Sequence, residues 1–178
     1  MSLGTPFMST ARYSRPRALL HWGSALVILW ATVTGFANAL LDVPAALSEA
    51  IGFINVSLTA LLIPFFVLRI GYALAQPGPD DIAHGNGLGQ FLAKAGHLAL
   101  YIATALVLAT GVLMMDRPID LFGLATLPQP FAEPVLIEFF NSSHRLFCVV
   151  LALLVAGHIG AVVFHQLRGH AVLDRMKP

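Results

Sequence analysis

Charge is the scarcest property of this chain. Only 11% of its 178 residues are Asp, Glu, Lys or Arg, against 57% hydrophobic, where a soluble domain carries roughly a quarter charged residues. With a mean hydropathy of +0.79, this is the sequence of a membrane protein. The net charge of +1 supplies no basic field and no reason to expect a nucleic-acid partner. Cysteine is reduced to Cys148, so an intrachain disulfide is impossible and sulfur says nothing of the compartment. Internal repeats and low-complexity tracts are missing too.

Four apolar runs are present, at 18–41, 47–75, 91–115 and 140–167. A helix crossing a ~30 Å hydrocarbon core needs about 20 residues, and each run is long enough. They predict an all-α, four-helix transmembrane bundle over 18–168, an N-terminal arm at 1–17 and a tail at 169–178. A cleaved signal competes for the first run, since Arg12, Arg15 and Arg17 precede it and Ala37-Asn38-Ala39 resembles a cleavage site. Signal cores of about 7–15 residues are shorter than this run, which reads as a retained span. Pro64 is expected to kink the second helix, which membrane helices tolerate. The proline-rich connection 116–138 holds a Leu121-Phe122-Gly123-Leu124 patch suited to the membrane interface.

Four crossings place both termini on one side. That face carries Arg12, Arg15, Arg17, Arg69, Lys94, Arg168, Arg175 and Lys177, against Arg117 and Arg145 on the other, a split of 8 to 2. The positive-inside rule makes the termini cytoplasmic.

Depth then sorts the histidines. His144, His158 and His165 are spaced by 14 and 7 residues, which at ~100° per residue lines them along one stripe of the last helix. Polar stripes in lipid are retained mainly where they line something functional. His21 lies about one turn into the first helix from the inner side, and His97 near the inner start of the third. His84 and His170 sit in polar segments and read as surface residues. Two buried imidazoles from different helices at one depth suit the axial positions of a haem iron, and His21 with His158 is the best such pair. The same spacing also fits a proton relay, or buried polar groups satisfied between helices. Other metals fit poorly, because carboxylate and thiolate ligands are absent beside these histidines.

Several stretches together carry a resemblance. Tyr13-Ser14-Arg15 running into Leu20-His21-Trp22 resembles the opening of the prokaryotic cytochrome b561 family. So do Ala95-Gly96-His97-Leu98-Ala99-Leu100-Tyr101, Gly111-Val112-Leu113-Met114-Met115, and the last helix with His144, Ala156-Gly157-His158, His165 and Asp174-Arg175-Met176. The resemblance covers nearly the whole chain from Tyr13 onward. It implies a bundle with two b haems, the inner one held by His21 and His158. The outer one would be held by His144 and by a histidine of the second helix, 14 residues before an arginine. Counting back from Arg69 reaches Asn55, in Ile54-Asn55-Val56-Ser57.

That histidine is therefore missing, and a carboxamide is a poor iron ligand. The outer haem is then absent, or five-coordinate on His144, or ligated by Met114 or Met115. Loss or weak retention is the favoured expectation, so one haem b is expected and a second is doubtful. His144 and Asn55 are expected to satisfy each other by a hydrogen bond. Arg15, Arg17, Arg69 and Lys94 are placed to pair with inner haem propionates, or to anchor the helices at headgroups. Arg145 is placed likewise for an outer haem. His97 and His165 are candidates for a quinone or proton site, because imidazole changes charge near neutral pH.

The expected function is electron transfer by a b-type haem membrane cytochrome, to or from the quinone pool. Filled axial positions suit electron transfer, whereas ligand or oxygen chemistry needs an open one. The alternative is an anchoring, cytochrome-like subunit of a larger membrane complex with one haem or none. Expected partners are the lipid bilayer, a quinone, and redox or complex subunits. Whether the chain is itself part of an oxidoreductase stays open at this level.

Overall fold

The computed structural model describes residues 12–76, 87–169 and 172–177. His84 and His170 fall outside the described residues. Within them run four helices: α1 (Arg15–Leu40), α2 (Ala45–Ala75), α3 (Leu88–Leu113) and α4 (Pro134–Leu167). A two-stranded hairpin, β1 (Ile119–Leu121) and β2 (Ala125–Leu127), interrupts the connection between α3 and α4. All four helices are long and apolar enough to cross a membrane.

The helix starts follow from proline and glycine chemistry. Pro16 and Pro134 sit in the first turns of α1 and α4, where a missing N–H costs nothing and φ is already helical. Gly87, at φ 80°, precedes α3. α4 starts six residues before the apolar run at 140, because 34 residues make a rod of about 51 Å. Its first turns exceed the hydrocarbon thickness and hold polar groups such as Glu138 and Asn141. α2 runs unbroken through Pro64.

The packing is that of helices in lipid, where apolar side chains gain little by leaving the hydrocarbon and close approach decides association. The three most buried of the described positions are accordingly small, Ala18, Ser57 and Ser24, and Ala103, Thr104 and Thr110 are buried beside larger core residues such as Phe66 and Leu62. Large residues such as Leu26, Val33, Leu74 and Leu153 face outward. α1 packs along α2 and α3 along α4, while the two hairpins so formed touch each other much less. Leu62, Phe66 and Leu108 bridge them, with Val27, Ile28 and Tyr101 against that cluster.

Both ends of the bundle are closed by specific contacts. At the end holding the termini, the Tyr13 N–H donates to the Arg175 carbonyl at 3.0 Å, and the Trp22 indole N–H to the Met176 carbonyl at 2.8 Å. Ser14 and Arg17 tie the start of α1 to Gln76 at the end of α2. At the other end the hairpin docks on α2. The Ser57 hydroxyl donates to the Asp120 carbonyl at 3.0 Å and accepts the Phe122 N–H at 3.2 Å. Phe122 and Gly123 have φ of 53° and 71°, a left-handed pair that is costly for phenylalanine. The Ser57 bond and an edge-on ring contact with Phe53 hold it there. The Leu121–Leu124 patch is thus the tip of this hairpin, with Leu124 fully presented to the surroundings.

Candidate functional site

The two hairpins stand face to face, and each contributes imidazoles to the space between them at the end where the termini meet. α1 offers His21, α3 offers His97 and α4 offers His158. The rings of His21 and His158 are 6.4 Å apart between centroids, those of His97 and His158 5.5 Å. Metal–imidazole bonds of about 2 Å, plus the radius of each ring, separate two axial imidazoles by roughly 6 Å. His21 and His158 match that span. They also come from opposite hairpins, whose helices touch each other much less than the helices within each hairpin do. His97 is on α3, packed directly beside α4, and its ring lies closer to His158 than an intervening iron would place it.

Arg69 of α2 reaches into the same space. One of its terminal nitrogens is 2.9 Å from Nδ1 of His21, and its guanidinium carbon lies 5.1 Å from the centre of the Tyr101 ring. A guanidinium only donates, so this bond leaves the lone pair of His21 on Nδ1. Of the other basic residues, Arg15 is exposed on the first turn of α1. Arg17 is engaged with the Gln76 carbonyl and stacks over Tyr13. His165 lies at the far end of α4, with its ring against Phe164.

The outer half is built differently. Asn55 and His144 are not bonded to each other, contrary to the sequence-based expectation. The carboxamide of Asn55 meets the Thr34 hydroxyl of α1 at 3.0 Å. Nδ1 of His144 lies 3.1 Å from the Val107 carbonyl and 3.2 Å from the Thr110 hydroxyl, both on α3. Val107 O can only accept, and the Thr110 hydroxyl already donates to the Leu106 carbonyl at 2.6 Å. Nδ1 of His144 therefore carries the hydrogen, and its Nε2 faces the Cys148 sulfur at 3.4 Å. The ring lies so close to α3 that a Cβ on Gly111 would sit 3.1 Å from its Cε1.

The physical reason for the mismatch is the pairing of helices. Each polar group finds a partner within its own hairpin, one turn from where the small-residue seam brings two backbones close. Thr34 and Thr110 carry no motif signal of their own. Only their helical spacing to neighbouring carbonyls, four residues back, marks them as hydroxyls folded onto their own helix and able to receive a further partner.

The inner imidazole pair therefore fits a haem. The outer position, with Asn55 committed to Thr34 and His144 packed into α3, does not fit a bis-ligated one. Met114 and Met115 follow the last residue of α3, beyond the level at which His144 packs on Thr110 and Gly111. No cluster of three or more metal-binding side chains occurs among the described residues.

Comparison with known proteins agrees with this arrangement of spans. The sequence profile of the prokaryotic cytochrome b561 family matches residues 12–178. Cytochrome b561 homolog 2 of Escherichia coli (strain K12) is 26% identical over 132 residues, covering 68% of this chain and 66% of that protein. The chain thus aligns with just under two thirds of that relative's length.

Proposed function

The chain belongs to the prokaryotic cytochrome b561 family, and on that premise we propose that it is a b-type haem electron carrier of the bacterial inner membrane, exchanging electrons with the quinone pool. When bound, the haem supplies a one-electron iron couple. The observation that carries this reading is the His21–His158 pair, 6.4 Å between ring centres and drawn from opposite hairpins.

The chain's own residues divide the remaining work. Nε2 of His21 and of His158 would hold the iron, one from each hairpin. Arg69, and Arg15 at the rim, would neutralise propionates, since guanidinium and carboxylate make charge-assisted bonds. Arg17 would steady the rim by its hold on Gln76. His97, beside His158, and His165 at the end of α4 would exchange protons with a quinone. Its reduction consumes protons, and imidazole takes and gives them near neutral pH. The apolar flanks of α1 and α4 would keep bulk water from the iron.

The test is a visible spectrum of the purified chain, oxidised and reduced, with a pyridine haemochrome assay. A reduced b-type α-band is expected, lost in His21→Ala and in His158→Ala. A protein that binds no tetrapyrrole would instead be an anchoring subunit of a larger complex, the reading that the replacement of a family ligand by Asn55 favours.

A further inference from the structure

Asn55 and His144 occupy corresponding places. Each lies ten residues into its helix, counted from Ala45 in α2 and from Pro134 in α4, about 15 Å along the axis. Each also lies on the inward stripe. Asn55 shares a face with Leu62, Phe66 and Arg69, at separations of 7, 11 and 14 residues, and His144 shares one with buried Leu151 and with His158. These are the positions from which two side chains would grip a group from opposite hairpins. Instead, each is turned to its own hairpin: Asn55 to Thr34, His144 to Val107 and Thr110, with Cys148 against the remaining ring nitrogen.

We infer that the outer half of this bundle holds no haem, so that one chain carries one haem and electrons enter and leave only through the end where the termini meet. The inference rests on the electron-carrier reading and narrows it. Three independent features point the same way. The α2 side presents a carboxamide, which ligates iron poorly. The ring nitrogen of His144 that could ligate, Nε2, is faced by the Cys148 sulfur at 3.4 Å on its own helix and, among the described residues, by no group from the opposite hairpin. The ring is seated against the backbone at Gly111, where even one added carbon is crowded. The remaining haem would be held at the level of His158, about 21 Å along α4 from His144, and among the described residues no second pair of histidines from opposite hairpins stands in that interval. Donor and acceptor must therefore share the inner end, or a partner must supply the outer half.

Haem is counted per chain by pyridine haemochrome on the purified, haem-replete protein. The expected ratio is one. A ratio of two overturns the inference and leaves the carrier reading standing, whereas a ratio of zero overturns both. Histidine 144 is then replaced, as His144→Ala and as His144→Gln, whose amide can still bond to Val107. Either folded variant is expected to keep the ratio and the spectrum, and a lost haem refutes the inference. A third measurement needs no substitution. In sealed vesicles of each orientation, impermeant ferricyanide should oxidise the reduced haem when the termini face outward and fail when they face inward. Equal oxidation from both faces overturns the inference.

Discussion

His21 and His144 keep their lone pairs on opposite ring nitrogens. Arg69 donates to Nδ1 of His21, while Nδ1 of His144 donates to the Val107 carbonyl. An imidazole that ligates through Nε2 normally gives its Nδ1 hydrogen to a second-shell acceptor. His144 already has that form, although its place lacks an opposing ligand. To hold an iron as proposed, Nε2 of His21 would give up its hydrogen and Arg69 would release Nδ1.

On the proposed reading, Arg69 would leave Nδ1 of His21 and its guanidinium would stand near the iron as a positive charge. Replacing it, as Arg69→Met, removes that charge and should lower the midpoint potential by on the order of 50–100 mV while the haem ratio stays at one. Redox titration measures it. A potential that does not move would place the guanidinium away from the haem.

His97 lies beside His158 without the span an iron requires. His97→Ala should leave the haem ratio and α-band intact and slow reduction by quinol by on the order of 100-fold or more, the scale of a lost proton-transfer group. Stopped-flow absorbance reads the rate. Loss of haem in this variant would mean that His97, rather than His21, faces His158 across the iron.

Asn55→His restores an imidazole opposite a histidine already in the ligating tautomer, with only a weak thiol contact on its Nε2. The expected haem ratio rises from one toward two. A ratio that stays at one would locate the obstacle in the seating of His144 on α3.

That seating has its own signature. Gly111→Ala drives a methyl to 3.1 Å from the His144 ring and should cost about 1–3 kcal/mol, the usual range for overpacking. In a His144→Ala background the same change should cost little. A double-mutant cycle on thermal unfolding in detergent isolates the coupling, and purely additive effects would contradict the close packing.

Ser57 is buried and bridges Asp120 and Phe122. Ser57→Ala should destabilise the protein by about 1–3 kcal/mol, since two backbone groups lose their partner. Faster proteolysis at the hairpin tip is the accompanying sign, and cleavage at the unaltered rate would show that Phe53 alone holds the tip.

The four spans were legible because length and hydropathy suffice for them, and the histidine stripe was legible because 14 and 7 are near-multiples of the helical repeat. The start of α4 was not, since Glu138 and the polar stretch Asn141-Ser142-Ser143 break up its first apolar residues, Val135 to Phe140. The hairpin at 119–127 was not either: its strands are three residues each, and its anchor, Ser57, lies 63 residues from Asp120. The departure at Asn55 could be read from the sequence, but its partner could not. Thr34 is one hydroxyl among several, and only the α1–α2 pairing makes it the neighbour. The same is true of Thr110 and Val107, whose hold on His144 runs between helices and leaves no local pattern.

The loose seam between the two hairpins bears on how the molecule is put together in the cell. With so few helix contacts between the hairpins, the haem proposed here would be the rivet that joins them, with one imidazole on either half. Separate genes for the α1–α2 and α3–α4 halves, made in one cell, should reconstitute a coloured complex that neither half gives alone.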